Sequence, residues 1–419
     1  METNYDVIVV GAGAAGLIAA GRAAELGCKV LLLEKMERAG RKLMLTGKGR
    51  CNITNEAPPS EFLKHIHPDS GFLKHAFTAF FSHDIVRLLN ENGCATVVER
   101  GGRVFPVSNK SADVVHALMQ WVLKHQVEIR YQHRVLDVVV RDGRVDGLKV
   151  RSRNGDRILR ARHIILCTGG KSYPATGSEG DGYRFASSAG HAIATPRQAL
   201  VPVETAGNRA QRMQGLGLKN VRAVVWVDGK HAAEAFGEMS CTDFGLSGPI
   251  ILTLSRCMVD ALRGHHTVEL AVDLKPALDE AKLDARLVRD LTAFGKTRMD
   301  SLFRKWLPAP MIPVFLEATG VAGRKEGHQL TAAERRAILL LMKDFRFTIT
   351  GCRSFKEAII TAGGVLTCEI DASTMESKLI PHLYFAGEMI DLDADTGGFN
   401  LQIAFSTAWL AAEACAGCR

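Results

Sequence analysis

The sequence predicts an α/β fold: a discontinuous, doubly wound Rossmann-like domain interrupted by a β-rich unit and a helical unit. A strand, glycine turn, helix and strand open the chain, and a similar texture returns near its end after a long stretch of different character. The length of 419 residues also exceeds what one compact core usually fills. We therefore expect the Rossmann-like domain at 1–196 and 347–419, the β-rich unit at 197–274 and the helical unit at 275–346.

The first element is a βαβ unit. Tyr5–Val10 is nearly all apolar, as is typical of a strand buried on both faces. The turn Gly11-Ala-Gly-Ala-Ala-Gly16 follows, and then an alanine-rich helical stretch that ends at Leu26. A second apolar run, Val30–Leu33, leads to Glu34. This order is that of a dinucleotide-binding fold.

Each glycine of this turn has a separate task. Gly11 permits the tight turn, Gly13 lets the backbone approach a pyrophosphate, and Gly16 lets the helix pack closely on the strand. Glu34 is placed to accept hydrogen bonds from a ribose diol and would repel a 2′-phosphate, which argues against NADP at this site. A glycine-rich packing turn without a ligand would leave Glu34 unexplained.

A second glycine-rich constellation near the end of the chain favours FAD over NAD as the bound dinucleotide. The run from Leu383 reaches Gly387 and Glu388, and Thr396-Gly-Gly-Phe-Asn-Leu-Gln402 opens a helix. A carboxylate there suits a ribityl hydroxyl, and a helix N-terminus can donate N–H groups to the flavin O2 locus. Without a second Gly-x-Gly-x-x-Gly, any NAD(P)H would bind only transiently.

Shorter signals define the remaining elements. Two helices, one hairpin around Asp142-Gly143, one further buried strand and one capping box are predicted. In chain order these are Phe72–Asn92, Ala112–His125, Val135–Arg141 with Val145–Arg151, Arg162–Cys167 and Thr331-Ala-Ala-Glu334.

Composition excludes several classes of protein. No signal peptide and no apolar run long enough for a bilayer is present, so we expect a cytoplasmic protein without a membrane partner. The ten cysteines lack the density of a disulfide scaffold, and no metal site is predicted. Cys415-Ala-Gly-Cys418 could form a redox arm, but a coincidence at a helix end is favoured.

Eight sequence blocks in order give the chain a family resemblance over nearly its whole length. It resembles the YhiN-type flavoproteins, also called the BaiN/RdsA family of FAD-dependent oxidoreductases. The blocks are Gly40–Asn55, Gly102–Ser108, Thr168–Ser178, Gly180–Gly182, Phe244–Pro249, Thr361–Val365, Thr374–Lys378 and Gly387–Gln402. Ala394 stands where a glycine is expected in the last block.

The resemblance implies a two-part FAD domain with an inserted β-barrel-like unit and a helical unit. It also implies that one basic loop lies beside the flavin and that the activity is carbon–carbon double-bond reduction, on a steroid or on a uracil of large-subunit ribosomal RNA. Turn and resemblance together predict these cofactor-binding residues: Gly11, Gly13, Ala14, Ala15, Gly16, Glu34, Lys35, Arg41, Lys42, Gly49, Arg50, Asn52, Val135, Thr168, Gly169, Gly170, Gly387, Glu388, Gly398, Phe399, Asn400 and Leu401.

Reduction of an activated C=C bond needs a hydride, a proton donor and donors that polarise the conjugated carbonyl. Three catalytic candidates follow: Cys51, Lys171 and Tyr173. The neighbouring Arg50 would lower the pKa of the Cys51 thiol, although a cysteine that packs the loop is the favoured interpretation. Tyr173 could equally be a structural hydroxyl that caps its own loop.

Three hypotheses remain open at this stage. The first is an FAD-dependent reductase of a ribosomal RNA uracil, the second a flavin reductase or oxidase of a small enone or amine, and the third a flavin-binding scaffold. Lys275–Arg346 carries 14 Lys and Arg against 9 Asp and Glu, which fits an RNA surface. An ordinary charged helical face explains this excess equally well. The oligomeric state is not predicted.

Overall fold

The computed structural model describes residues 5–417, which divide into two compact units. The first runs to Arg197 and resumes at Ala358, and the second is Gln198–Glu357. The chain returns to the first unit at Ala358, later than the boundary expected at 347. The strand Phe345–Cys352 pairs inside the barrel of the second unit.

The strands have 2 to 12 residues, and the helices have 4 to 19. In chain order the strands are β1 (Tyr5–Val10), β2 (Val30–Leu33), β3 (Thr54–Asn55), β4 (Ile66–His67), β5 (Thr96–Glu99), β6 (Arg103–Pro106), β7 (Glu128–Arg130), β8 (Arg134–Arg141), β9 (Arg144–Ser152), β10 (Gly155–Leu159), β11 (Ala161–Leu166), β12 (Ile193–Ala199), β13 (Val203–Thr205), β14 (Gly217–Val227), β15 (Lys230–Cys241), β16 (Gly245–Ser247), β17 (Val268–Asp273), β18 (Phe345–Cys352), β19 (Ile360–Val365), β20 (Leu383–Phe385) and β21 (Asp393–Ala394). The helices are α1 (Ala14–Glu25), α2 (Pro59–Phe62), α3 (Lys74–Ala79), α4 (Ser82–Glu91), α5 (Ser111–Lys124), α6 (Asp181–Ser188), α7 (Arg209–Arg212), α8 (Pro249–Arg263), α9 (Glu280–Ala293), α10 (Met299–Leu302), α11 (Ile312–Thr319), α12 (Ala332–Lys343) and α13 (Phe399–Gly417).

The first unit is built on a five-stranded parallel sheet in the order β20-β11-β1-β2-β7. Its central strands are apolar on both faces, and Val7, Ile8 and Val9 are fully buried. The chain proceeds from β1 to β2 on one side and from β11 to β20 on the other, so the strand order reverses next to β1. In open α/β sheets, ligands bind beyond the carboxyl ends of the strands at such a point. The predicted α/β class and Rossmann-type domain are confirmed.

One predicted helix of the first unit is wrong. Phe72–Asn92 is not continuous, because Phe80 and Phe81 have extended backbone and separate α3 from α4. The side chain of Asp84 accepts a hydrogen bond from the Phe81 backbone N–H at 2.9 Å, which caps the new helix start. The predicted helix near 112–125 and the hairpin around Asp142 are confirmed as α5 and as β8 with β9.

The second unit contains a closed six-stranded barrel in the order β13-β16-β15-β14-β17-β18. Barrel residues such as Leu270 and Phe345 belong to the same hydrophobic core as Leu287 of α9 and Ile338 of α12. The β-rich and helical segments therefore share one hydrophobic core in this unit. The predicted capping box is confirmed, because Thr331 and Glu334 exchange hydrogen bonds at the start of α12.

Between residues 5 and 417, none of the helices combines the length and the apolar character that crossing a membrane requires. Within the same range, His, Cys, Asp and Glu side chains form no group of three or more that could hold a metal ion.

Candidate functional site

The three glycines of the turn after β1 lie in different environments. A Cβ on Gly11, whose φ is +97°, would stand 2.6 Å from the carbonyl oxygen of Cys167, and one on Gly16 would stand 1.7 Å from the carbonyl oxygen of Gly11. A Cβ on Gly13 would meet no protein atom within 4 Å. Gly11 and Gly16 are therefore required by close backbone packing, whereas Gly13 borders open space.

Glu34 is held rigidly at the end of β2. One carboxylate oxygen accepts a hydrogen bond from the Ala12 backbone N–H at 2.8 Å, and the other accepts one from the Met36 N–H at 2.8 Å. Each oxygen keeps a further lone pair. The half-buried carboxylate can therefore accept two hydroxyl hydrogen bonds beside the glycine turn, as a ribose diol requires.

The segment after β20 meets the glycine turn. The Ala386 N–H donates to the carbonyl of Leu166 at the end of β11. A Cβ on Gly387, whose φ is +75°, would stand 2.9 Å from the Cβ of Ala15. Two glycine-rich segments that are far apart in sequence thus lie together at one edge of the sheet.

Glu388 is the centre of a polar cluster at this edge, which we call the Glu388 cluster: Lys42, Ser172, Thr361 and Glu388. The Lys42 Nζ donates to Glu388 Oε2 at 2.5 Å and to the Ser172 hydroxyl at 2.5 Å. Glu388 Oε1 accepts from the Ser172 hydroxyl and from the Thr361 N–H, both at 2.9 Å. A Cβ on Gly170 would collide with Thr361 and Glu388. The cluster leaves Oε2 with room for one more donor.

Cys51 is fully buried and has left-handed backbone. Burial raises the pKa of its thiol to about 12. This direction is opposite to the one expected from Arg50 beside it in sequence, because the Arg50 guanidinium is engaged elsewhere. It pairs with Glu99, donates to Asn109 Oδ1 at 2.6 Å and stacks on Phe105 at 4.2 Å. The thiol is therefore neutral at physiological pH.

Asn52 follows on the same loop and carries a buried side-chain oxygen that has no hydrogen-bond partner among residues 5–417. Nearby, a Cβ on Gly49 would meet no atom within 4 Å. Buried amide oxygens normally accept a hydrogen bond. The Asn52 oxygen is therefore free to accept one from a bound molecule. Gly49 and Asn52 thus leave space and an acceptor on one loop.

The start of α13 packs against the strand that continues from this loop. A Cβ on Gly398 would stand 2.4 Å from the carbonyl of Thr54. Phe399 stacks on His65 with ring centroids 4.3 Å apart. The Asn400 side chain bonds both the N–H and the carbonyl of Ala394, and Leu401 is half-buried.

Other predicted cofactor residues are held by protein partners. Lys35 pairs with Glu179 at 2.8 Å and with Asp181 at 2.6 Å. Burial acts to raise the pKa of Asp181, but the ion pair with Lys35 outweighs it and the pKa is lowered. Arg41 pairs with Glu37 and donates to the Ala175 carbonyl.

The remaining predicted residues fall into three environments. Val135 is buried in β8. Thr168 and Gly169 follow β11, where the Thr168 hydroxyl lies 3.8 Å from the sulfur of Met389. Of the catalytic candidates, Lys171 is exposed and Tyr173 is half-buried with left-handed backbone. Of the Cys-x-x-Cys spacing near the end of the chain, Cys415 is buried and Cys418 lies outside the described residues.

Sequence reasoning missed Ser172, Thr361 and Asp181 as members of the site. Ser172 and Thr361 both lie in quoted sequence blocks, but a lone hydroxyl side chain gives no sign of the carboxylate that it will bind. In the sequence, the run of small residues from Thr361 to Gly364 is a signal of close backbone packing.

These features fit FAD as the bound dinucleotide. The open space at Gly13 suits a pyrophosphate that approaches the start of α1, where the helix dipole favours an anion. Glu34 suits the ribose diol, and the unpartnered Asn52 oxygen suits an N–H donor such as those of a flavin ring.

Comparison with known proteins shows a Rossmann-domain family and reductase relatives. The family model described as "HI0933-like protein Rossmann domain" matches residues 5–414. A 3-dehydro-bile acid Δ4,6-reductase of Clostridium scindens is 29% identical over 411 residues, which cover 97% of this chain and 98% of that protein. A ribosomal RNA dihydrouridine synthase of Escherichia coli is 29% identical over 412 residues, which cover 98% of each chain.

Solved structures show the same fold at low identity. The 3-ketosteroid Δ4-(5α)-dehydrogenase of Rhodococcus jostii RHA1 superposes with a TM-score of 0.54 at 16% identity, covering 99% of this chain and 98% of that chain. An open flavocytochrome c3 fumarate reductase gives a TM-score of 0.51 at 17% identity, covering 99% and 78%.

Proposed function

The chain belongs to the HI0933-like family of Rossmann-domain proteins and is an FAD-dependent oxidoreductase acting on C=C bonds, and from this premise we propose that its substrate is a uracil of large-subunit ribosomal RNA. Such a substrate puts the protein in the cytoplasm with the ribosome. The meeting of Gly13, Glu34 and the Glu388 cluster at one sheet edge supports the FAD site, and the observation that carries the proposed substrate is the match to relatives named for it.

Two relatives that span nearly the full chain are named for the proposed reaction. They are the Escherichia coli protein and a ribosomal RNA dihydrouridine synthase of Haemophilus influenzae, which is 27% identical over 416 residues. An RNA substrate also agrees with the formal net charge of +8.

When bound, FAD supplies the hydride for the C=C bond. The chain itself must orient the substrate and deliver a proton. We propose Tyr173 as the donor, because it is half-buried and its neighbour Ser172 is fixed by the Glu388 cluster. By contrast, Cys51 is fully buried, and Lys171 is exposed to solvent. We further propose NAD(P)H as a transient electron donor.

The test uses the purified holoprotein, reduced anaerobically and mixed with an in vitro transcript of large-subunit ribosomal RNA. Mass spectrometry of the digested transcript should show one dihydrouridine, and Tyr173→Phe should slow its formation at least tenfold without loss of bound flavin. NADPH or NADH should bleach the flavin in stopped-flow absorbance. A reduced, flavin-loaded protein that leaves every uridine of the transcript intact would refute the proposed substrate.

A small conjugated enone is the second candidate. The bile acid reductase matches this chain with the same identity as the Escherichia coli dihydrouridine synthase and covers 97% of it, against 98%. If this candidate is correct, a steroid 4,6-dien-3-one will reoxidise the reduced flavin in the absence of RNA. The RNA transcript will then leave the flavin reduced.

A further inference from the structure

We infer that a basic groove on the helical part of the second unit binds the phosphate backbone of RNA. The inference rests on the proposed function, because it names the surface that would hold the RNA substrate. The groove has a volume of about 760 Å³. Its lining residues are Leu278, Lys282, Ala285, Arg286, Arg289, Asp290, Phe294 and Lys305.

Helix α9 places three of the cations in one row. Lys282, Arg286 and Arg289 are spaced four and three positions apart, so they share one face of the helix. At a rise of 1.5 Å per residue, the row extends about 10 Å along the axis. Lys305 adds a fourth cation from a separate short helical turn. The groove is therefore a linear array of positive charge rather than a single anion site.

These cations are only loosely held by the protein. Lys282 is 3.4 Å from Asp279, and Arg286 and Arg289 are 3.9 and 4.0 Å from Asp290. Side chains of Lys282 and Arg289 are 70% and 73% exposed. Their charges are thus available to a partner.

Other cations of the same unit are bound much more tightly. Lys325 is 2.7 Å from Glu334, Arg335 is 2.8 Å from Asp284, and Lys343 is 2.6 Å from Asp273. Compared with these three, the groove cations keep more of their charge free for a partner.

The groove contains one acid and one aromatic ring. The Trp306 indole N–H donates to Asp290 Oδ2 at 2.9 Å, so part of that carboxylate is already engaged. The four cations and Asp290 leave a formal charge of +3. Phe294 is 39% exposed, and the Lys305 Nζ lies 3.8 Å from its ring centroid. An exposed ring beside cations can stack with a nucleobase.

The partner that fits these features is a nucleic acid strand. Guanidinium groups match phosphate geometry, and a row of cations matches a chain of phosphates better than one isolated anion. The apolar floor of Leu278 and Ala285, with Phe294, suits contact with sugar and base. With RNA as the proposed substrate, we assign this groove to its backbone.

The experiment compares two triple variants of the FAD-loaded protein. The groove variant is Arg286→Gln with Arg289→Gln and Lys305→Gln. The matched control removes the same charge at exposed positions of the barrel-side elements, by Arg209→Gln with Lys219→Gln and Lys230→Gln. Fluorescence anisotropy measures binding of the large-subunit RNA transcript from 50 to 400 mM KCl, and mass spectrometry measures dihydrouridine.

The groove variant should bind the transcript at least tenfold more weakly at 100 mM KCl. Its slope of log affinity against log salt should fall by about 2, because three phosphate contacts each contribute about 0.7. The control should keep the wild-type slope, and both variants should keep full flavin content and wild-type reduction by NAD(P)H.

The readouts separate failure of the groove from failure of the proposed function. If the groove variant binds RNA as tightly as the control, with the same slope, the groove is not the RNA surface, whatever the dihydrouridine assay shows. If groove-dependent binding is found but no dihydrouridine forms with wild-type protein, the groove is supported and the proposed reaction fails. Equal loss of affinity in both variants would show unspecific charge attraction and would overturn the assignment.

Discussion

Alanine substitutions at Gly13 and Gly16 should have opposite consequences, although the two glycines belong to one turn. Gly13 has φ −84° and ψ −164°, which alanine adopts freely, and no protein atom lies within 4 Å of the new methyl group. Gly13→Ala should therefore change the free energy of unfolding of the flavin-free protein by no more than about 1 kcal/mol. Gly16→Ala would place its methyl 1.7 Å from the Gly11 carbonyl oxygen, and neither backbone segment can move aside cheaply.

The size of each effect depends on what the new methyl group contacts. Gly16→Ala should destabilise the flavin-free protein by about 3 kcal/mol or more, as overpacking against rigid backbone does. Gly13→Ala should instead cost FAD affinity, because the methyl occupies the space that the pyrophosphate needs. Loss of about two charge-assisted hydrogen bonds, each contributing roughly 1.5–3 kcal/mol, corresponds to roughly 10²–10⁴-fold weaker binding.

Chemical denaturation of the flavin-free proteins measures the first quantity, and quenching of FAD fluorescence measures the second. Gly217→Ala is the matched control, because this glycine of the second unit also has open space around it. The control should change neither quantity. The reasoning is refuted if Gly13→Ala binds FAD as the wild-type protein does, or if it destabilises the protein as much as Gly16→Ala.

Three further predictions concern charged and titratable groups of the first unit. In a double-mutant cycle, Lys42→Met and Glu388→Gln should show a coupling of about 1–3 kcal/mol in unfolding free energy, and additive effects would disprove their ion pair. Burial lowers the pKa of His163 from 6.5 to about 4. Because the unfolded chain then binds the proton at a higher pH than the folded chain, the free energy of unfolding should fall by up to about 3 kcal/mol as the pH drops from 6.5 towards 4. Urea titrations should show this loss in wild-type protein and not in His163→Leu. With the pKa of its thiol at about 12 and no exposed surface, Cys51 should resist iodoacetamide at pH 8 until urea unfolds the protein, and rapid native labelling found by peptide mass spectrometry would contradict its burial.

The Rossmann-type core could be predicted from sequence because its signals are local and redundant. An all-apolar strand, three spaced glycines and an acid after the next strand each demand the same backbone arrangement. The break between α3 and α4 could not be predicted from periodicity, because Phe80 and Phe81 continue the apolar pattern. Only their tertiary burial, with cap formation by Asp84, selects extended backbone there.

The barrel boundary and the polar cluster depend on partners distant in sequence. Nothing local in Phe345–Cys352 distinguishes a strand that closes the barrel with β13 and β17 from one that returns to the first unit. Likewise, Lys42 finds Glu388 across 346 positions of sequence. A lysine in a basic run indicates an anion nearby, but it does not indicate whether that anion is a cofactor phosphate or a carboxylate of the same chain.

The place of β20 beside β11 has a consequence for biosynthesis. Leu383 follows Leu166, the last residue of β11, by 217 positions, so at 5–20 residues per second a ribosome needs roughly 10–45 s to add the strand that completes the sheet. The Arg22–Glu413 ion pair and the packing of Arg22 over Trp409 form later still. Throughout that interval the nascent chain exposes one unpaired margin of β11 to other polypeptides. A premature stop before Leu383 would make this exposure permanent, and such a fragment should be captured by chaperones or aggregate.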